Sequence, residues 1–308
     1  MKITLLGTES MGVRGLSCLV EVDNRKIVID PGMALGFRRS KLLPHPAQVA
    51  FGEQVRKKIL TALAQATDVV FSHYHGDHVP LVNPNPYQID AHKAAPLFKK
   101  ARLWAKGSED LSAPMVARKE GLMRLLGVEL INAEEKIDGV LAFSPPVPHG
   151  EPNNRLGTVM MTYIRDDNCS FVHASDIQLL DEKAVSLILD WRPDIALIGG
   201  PPLYLSGFMD RNRRKKSWDL AQSLAQGVET MIIDHHLMRC EEGLVWLDRL
   251  SSKVNTRVTC GADFMGQPRR LLEARRIQLY EQMPVPKDWH KRYALGVEDA
   301  HRFQKFSD

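Results

Sequence analysis

The stretch Phe71-Ser72-His73-Tyr74-His75-Gly76-Asp77-His78-Val79-Pro80 sets three imidazoles and a carboxylate within six consecutive positions, in a chain with 11 histidines among 308 residues. Along extended backbone, residues two apart project to one side, so His73 and His75 can present both rings to a single point. Gly76 lets the backbone turn, and Asp77 and His78 can then address a second point close by. Neutral imidazole together with carboxylate suits zinc, and also manganese or iron. One ion would not use all four groups and still leave room for a substrate. Two adjacent ions would, provided further ligands arrive from elsewhere. The fold therefore has to bring other strand ends up to Asp68-Val69-Val70-Phe71, the short predicted strand that delivers the cluster.

Such strand ends exist. Val147-Pro148-His149-Gly150, Ala174-Ser175-Asp176 and Ile233-Asp234-His235-His236 each close a strand-like run with ligand-type residues. A carboxylate such as Asp176 can place one oxygen on each ion of a pair about 3.5–4 Å apart. Asp30, in Asp30-Pro31-Gly32, is another carboxylate at a predicted strand terminus.

The rest of the chain has the pattern such a site needs. Ile3–Leu6, Cys18–Val22 and Lys26–Asp30 read as a β-meander with a hairpin turn at Asp23-Asn24-Arg25. A Pro-bearing loop through His45 leads to a helix over Gln54–Ala66, where Val55, Ile59, Leu60 and Leu63 recur at helical spacing. Residues 81–135 read as a helical insertion over the site, with helices over Ala95–Ala105 and Pro114–Leu126. Strands return at Gly139–Phe143, Val159–Ile164 and Ser170–Ala174. Strand and helix then alternate: Ile195–Ile198, helix Trp218–Gln226, Met231–Ile233, helix Gly243–Ser251, and a basic helix Arg269–Gln282 within a C-terminal extension at about 265–308. Strands first and βαβ units later predict an α/β chain with two sheets covered by helices, in a single domain over 1–308.

Composition excludes several classes. At 44% hydrophobic and 25% charged, the chain has ordinary globular make-up. Lys+Arg 41 against Asp+Glu 37 leaves a formal +4, too small to require a nucleic-acid partner. Cys18, Cys169, Cys240 and Cys260 are far apart, without paired spacing, which fits reduced thiols in a cytoplasmic protein. MKITLLGTESMG reads as a first strand and not a signal peptide, and no apolar run approaches the roughly 20 residues of a membrane span. His45, His92, His290 and His301 are expected at the surface, and His173 as a satisfied histidine within a sheet.

The order of these motifs, HYHGDH after a strand-end Asp and then His, Asp and His, resembles the metallo-β-lactamase superfamily. That resemblance implies an αββα sandwich, two mixed β-sheets flanked by helices, with a dinuclear site between the sheet edges. "SMGVRG", "VPHG", "ASD", "GGPPLYL" and "DHHLMR" resemble, more narrowly, a prokaryotic family of predicted metal-dependent hydrolases within it, one that brings no substrate with it. By position, the resemblance implies His73, His75 and His149 on one metal and Asp77, His78 and His235 on the other, with Asp176 bridging. Asp30 would stand behind a ligand histidine and fix its tautomer. His236 is the alternative to His235, which is favoured because His235-x-x-x-Arg239 is similar to the ending of the tRNA 3′-processing endonucleases of the superfamily. Ser10 and Arg14 are substrate candidates on resemblance alone.

The chemistry implied is hydrolysis by a hydroxide activated between two divalent ions, with zinc foremost and manganese or iron as alternatives. Asp77 would orient the nucleophile or return a proton to the leaving group, and Asp176 would serve with it. Backbone N–H groups at Gly199 and Gly200 are candidates for holding an oxyanion or phosphate, against the plainer reading of a tight turn. A phosphodiester or nucleotide-like substrate leads, because the basic run Arg211–Lys216 could grip a phosphate backbone, although a solvated loop is its plainer reading. A lactone, ester or thioester hydrolase is the alternative, with Trp104, Met115, Met123 and Leu126 lining an apolar pocket or simply packing helices. A di-iron redox or binding protein ranks last, since no flavin or rubredoxin-like region is fused.

Overall fold

In the computed structural model, which describes residues 1–152 and 154–306, two mixed sheets stack face to face. The first has the order β1 (Lys2–Thr8), β2 (Leu16–Val22), β3 (Arg25–Ile29), β4 (Asp68–Phe71), β5 (Arg102–Ala105). Its first three strands form the antiparallel meander expected from the sequence, and β3, β4 and β5 run parallel. Parallel neighbours need crossovers. These are α1 (Pro46–Leu63) and α2 (Ala91–Phe98).

The second sheet takes β6 (Ile137–Asp138), β7 (Leu141–Phe143), β10 (Thr162–Arg165), β11 (Ser170–His173), β12 (Ile195–Ile198), β13 (Thr230–Ile233) and β14 (Arg257–Thr259). Their spatial order is β14-β13-β12-β11-β10-β7-β6, with β11 to β14 parallel. A short ribbon of β8 (Val147–Pro148) and β9 (Thr158–Val159) stands apart. Helices α3 (Ala113–Leu126), α4 (Glu182–Trp191), α5 (Arg211–Ala225) and α6 (Glu241–Ser251) complete the layers, followed by the short α7 (Gly261–Phe264), α8 (Arg276–Gln282) and α9 (Trp289–Ala294).

Strand alternation sorts side chains into two cores. Leu5, Cys18, Ile27, Ile29 and Val70 point inward to meet Leu141, Phe143, Ile164 and Phe171 from the other sheet. Their neighbours Leu6, Val28, Val69 and Phe71 point outward beneath α1, α2 and α3. Each inner residue is at most 5% exposed, and cutting one such side chain back to alanine typically costs about 2–5 kcal/mol. The result is the αββα sandwich.

Several sequence expectations change: α1 begins at Pro46 and not at Gln54, α5 at Arg211 and not at Trp218, and the run Val159–Ile164 is divided between β9 and β10. The helix expected over Ala95–Ala105 ends at Phe98, and Arg102–Ala105 is instead the edge strand of the first sheet, so the stretch 81–135 is not purely helical. The basic helix begins at Arg276 and not at Arg269. No helix among the described residues is long and apolar enough to cross a membrane.

Candidate metal centre

Parallel strands carry their C-terminal ends to one edge of a sheet, and every predicted ligand sits just past such an end or on the ribbon beside it. Ile29 pairs with Val70, so Asp30 lies next to Ser72. His173 pairs with Leu197 and Ile198 with Ile233, which aligns Asp176, Gly199 and Asp234 to His236 along the other sheet. Asp30 and Ser175 hold left-handed backbone, with φ of 49° and 53°, at the two points where the chain leaves its strand for the site. Such conformations in non-glycine residues cost energy and persist where the surroundings enforce them.

Asp176 lies at the centre. Its Oδ2 is 3.0 Å from His149 Nε2, 3.6 Å from His73 Nε2 and 3.9 Å from His75 Nδ1. Its Oδ1 is 3.0 Å from His78 Nε2 and 3.5 Å from His235 Nε2. Each oxygen thus addresses a separate set of imidazoles. Asp77 Oδ2 joins the second set, 3.5 Å from His235 Nε2. Four overlapping groups among the described residues could hold a metal: His73, His75, His149 and Asp176; Asp77, His78 and His235; Asp30, His73 and His78; and Asp176, His235 and His236.

The donor set suits metal chemistry. Burial, with the neighbouring His78 and His75, pushes His73 down to about 3, and burial takes His236 down to about 4. Burial likewise lowers His149 and His235. Buried imidazoles held neutral keep lone pairs available; His78 is the exception, since burial lowers it but Asp176 and Asp30 on its two sides raise it well above the usual value. Burial opposes ionisation of Asp77 and Asp176, yet the surrounding histidines, and Arg239 for Asp77, hold both carboxyls below the usual range. Asp176 Oδ1 has no aligned hydrogen bond although fully enclosed. Beside His78 Nε2 at 3.0 Å, this buried oxygen has a charge partner but no aligned donor, a position that a cation would satisfy.

Behind the ligands sits a layer of orienting groups. Asp30 Oδ2 accepts from His78 Nδ1 at 2.8 Å, leaving Nε2 turned to Asp176. Asp30 is itself fixed by Ser72, whose N–H and Oγ donate at 2.8 and 2.6 Å. Ser72 Oγ lies 3.0 Å from His73 Nδ1 and 2.7 Å from Ser175 Oγ. Gln178 reaches His149 Nδ1 at 3.2 Å.

His235 and His236 both enter the site. Gly15 N–H donates to His235 Nδ1 at 3.0 Å, and Arg239 Nη2 stands 2.6 Å from Nε2. His236 Nε2 is 3.3 Å from Asp176 Oδ2, and its Nδ1 has no hydrogen-bond partner. The two rings therefore take opposite oxygens of one carboxylate.

Other candidates are used differently from expectation. Ser10 is fully buried, donates through N–H and Oγ to Asp234 and accepts from Ala262 N–H, so it braces the strand-end segment and offers nothing to a substrate. Arg14 makes a fork to Glu273 through Nε at 2.7 Å and through Nη2. The N–H of Gly199 bonds Ser175 O and that of Gly200 bonds Ile177 O, both at 2.9 Å, which corrects the oxyanion reading. A Cβ at Gly199 would approach the Asp176 backbone to 3.1 Å, so this turn serves close packing against the central carboxylate.

The basic run is corrected as well. It forms the first turns of α5, capped by Asp210, instead of a loop. Arg213 pairs with Glu151 and Asp210 at 2.9 Å, Arg214 with Glu242, Lys215 with Asp219 at 2.5 Å, and Lys216 with Glu182 at 3.5 Å. Trp104 lies tilted against Phe143 and donates to Asp68, Met115 is buried and Met123 half-buried in the core under the helices, and Leu126 lines a cavity with Phe98, Leu103 and Ile131 in which none of the predicted ligands takes part. His173 is a buried sheet histidine that is only half satisfied: its Nε2 is 2.8 Å from Leu16 O, while its Nδ1 has no hydrogen-bond partner. His92 and His301 are exposed as expected. His45 and His290 are not at the surface: His45 is buried as the cap of α1, and His290 is held between the hydroxyls of Tyr87 and Tyr280.

Sequence reasoning missed an ionic network beside the second ligand set. Arg239 is buried and touches Glu9 Oε2 at 3.2 Å, Tyr204 Oη at 3.0 Å and Asp77 Oδ2 at 3.3 Å. Glu9 is pushed up to about 8, by burial and then by Glu273. Burial opposes ionisation of Glu273, but Arg14 holds it down to about 2. The signal available was acidic and basic residues inside otherwise buried segments, Glu9 before Ser10 and Glu273 after Leu272.

The family model of the metallo-beta-lactamase superfamily matches residues 12–172. A UPF0282 protein of Methanosarcina mazei is 46% identical over 302 residues, covering 97% of this chain and 99% of that one. Another, from Pyrococcus furiosus, is 34% identical and covers 91% and 92%. A solved metal-dependent hydrolase of the beta-lactamase superfamily superposes with a TM-score of 0.49 at 15% identity, covering 84% of this chain and 94% of that one. The chain belongs to the metallo-beta-lactamase superfamily and, within it, to the UPF0282 family.

Proposed function

We propose that the protein is a metal-dependent hydrolase whose site holds two divalent ions, zinc foremost with manganese or iron as alternatives, and acts on a phosphodiester or nucleotide-like substrate. One observation carries the dinuclear reading: the two oxygens of Asp176 face different imidazole sets. His73, His75 and His149 would hold one ion, Asp77, His78 and His235 the other, with His236 as the alternative to His235. When bound, such a pair supplies Lewis acidity and lowers the pKa of water from 15.7 to about 7.

The chain's own groups do the rest. Asp30 holds a proton on His78 Nδ1, so that Nε2, which faces Asp176, is the nitrogen that would give up its proton to a metal. Asp77 stays ionised beside Arg239, and its carboxylate can accept a hydrogen bond from the attacking water and later return a proton to the leaving group. Buried Arg239, 3.3 Å from Asp77 and 3.2 Å from Glu9, lies between these two carboxyl groups and helps to hold Asp77 in its ionised form.

Metal-loaded protein assayed on bis-p-nitrophenyl phosphate, an acyl-homoserine lactone and an acyl thioester tests the reading. Turnover is expected on the phosphodiester. Efficient lactone or thioester hydrolysis with no phosphodiester cleavage would overturn the substrate class.

A further inference from the structure

Most cations near the centre are already matched. Arg14 pairs with Glu273, Arg239 with Glu9 and Asp77, and Arg213 and Arg214 with Glu151, Asp210 and Glu242. The turn Phe37-Arg38-Arg39-Ser40-Lys41-Leu42 differs. Among the described residues, no carboxylate comes within ion-pair distance of Arg38, Arg39 or Lys41; Arg38 lies over Phe37 and Arg39 over Tyr204.

This turn is also rigidly built. Arg39 N–H donates to Leu42 O at 3.0 Å and Leu42 N–H to Arg39 O at 2.9 Å. Ser40 and Lys41 both take left-handed backbone, with φ of 51° and 65°, which gives a primed hairpin turn without glycine. Buried Arg276 donates from Nη1 to Gly36 O at 2.7 Å and to Leu42 O at 3.1 Å, pinning both ends. A loop that served only to connect would not require two strained residues and a buried arginine beneath it.

The turn leans on the segment that carries the ligands. The Arg39 guanidinium sits 5.3 Å from the centre of the Tyr204 ring and donates from Nη2 to Arg239 O at 3.2 Å. The Tyr204 hydroxyl accepts from Arg239 Nη1, and Arg239 reaches Asp77. Stacking fixes the guanidinium plane, and one of its five donors is spent on the carbonyl. The remaining donors meet no carboxylate. Phe37, 48% exposed, adds a ring at the same turn, with the Arg38 guanidinium 6.0 Å from its centre and the Tyr87 ring 6.1 Å away.

We propose that the 37–42 turn together with Tyr204 is a phosphate-binding subsite, which holds a second phosphate of the substrate, away from the bond that is cleaved. The substrate class is then a phosphoester carrying a planar ring and a further phosphate, such as a nucleoside bisphosphate. This deepens the hydrolase reading above and rests on it. Arginine suits the task because its planar fork takes two phosphate oxygens at once.

The test compares two p-nitrophenyl esters of thymidine 5′-phosphate, one with a free 3′-hydroxyl and one with a 3′-phosphate, on metal-loaded protein. Thymidine 3′,5′-bisphosphate is also titrated calorimetrically into protein with and without metal. The 3′-phosphorylated ester is expected to be preferred in kcat/KM by roughly tenfold, the size of one hydrogen bond to a charged group. Arg39→Ala should erase that preference, mainly through KM, and weaken bisphosphate binding by a similar factor. Arg39→Gln, which keeps the stem over Tyr204, replaces it if the alanine variant does not fold. Arg213→Ala should leave the preference intact. No preference in the wild type, or one that survives in folded Arg39 variants, overturns the subsite, while cleavage of both esters would leave the hydrolase reading standing. Arg39-dependent bisphosphate binding without cleavage of either ester supports the subsite and removes the phosphodiesterase reading.

Discussion

An imidazole can ligate only through the nitrogen that its other hydrogen bond leaves free, so the decisive residue behind His78 is Asp30. Asp30→Asn keeps the shape but can present an N–H to Nδ1 in place of a carboxylate oxygen. Loss of such a supporting group typically costs about 10–100-fold in metal affinity. We expect that range for Asp30→Asn in a competition titration against a zinc chelator, with the fold retained by circular dichroism. Unchanged affinity would show that the His78 tautomer is set elsewhere. The His and Asp residues that converge on Asp176 were legible in the sequence because histidine and aspartate are dense there and stand at strand ends. Glu9, Tyr204, Arg39 and Glu273 were not, since each gains its role from partners far along the chain, as Arg39 does from Tyr204 and Glu273 from Arg14. Ser10 was misjudged for the same reason: its partner, Asp234, is 224 positions away.

At the scale of elements, the meander and the later βαβ alternation followed from apolar runs, but β5 and the start of α5 did not. Leu103 and Trp104 sit in a stretch crowded with lysine and arginine, where no clean alternation marks an edge strand. The run from Arg211 to Lys216 has no apolar periodicity, so only the cap at Asp210 and the helix propensity of arginine and lysine could have revealed α5. Its charges tie α5 to its surroundings, Arg213 to the loop after His149 and Arg214 to α6. Exposed pairs of this kind add little stability. We therefore expect that replacing Arg213, Arg214 and Lys215 with alanine leaves the salt dependence of single-stranded oligonucleotide binding unchanged. A slope smaller by about 0.7 for each lost contact would return α5 to a nucleic-acid-binding face.

For the whole molecule, the two sheets bring their strand ends together around one carboxylate. His73 and Asp77 come from beyond β4 of one sheet, Asp176 and His235 from beyond β11 and β13 of the other. Metal binding at such a seam links the halves of the sandwich and stabilises the folded state by about 2.7 kcal/mol when free metal is a hundredfold above Kd. The account stands or falls on whether that seam holds two ions through Asp176. The direct measurement is metal content by elemental analysis on protein purified from metal-replete medium, for the wild type and for Asp176→Asn. The account predicts two ions per chain in the wild type and fewer in the variant, because an amide supplies one neutral oxygen where the carboxylate supplies two that share negative charge. A folded wild type with fewer than two ions, or an Asp176→Asn protein that keeps both, would contradict it.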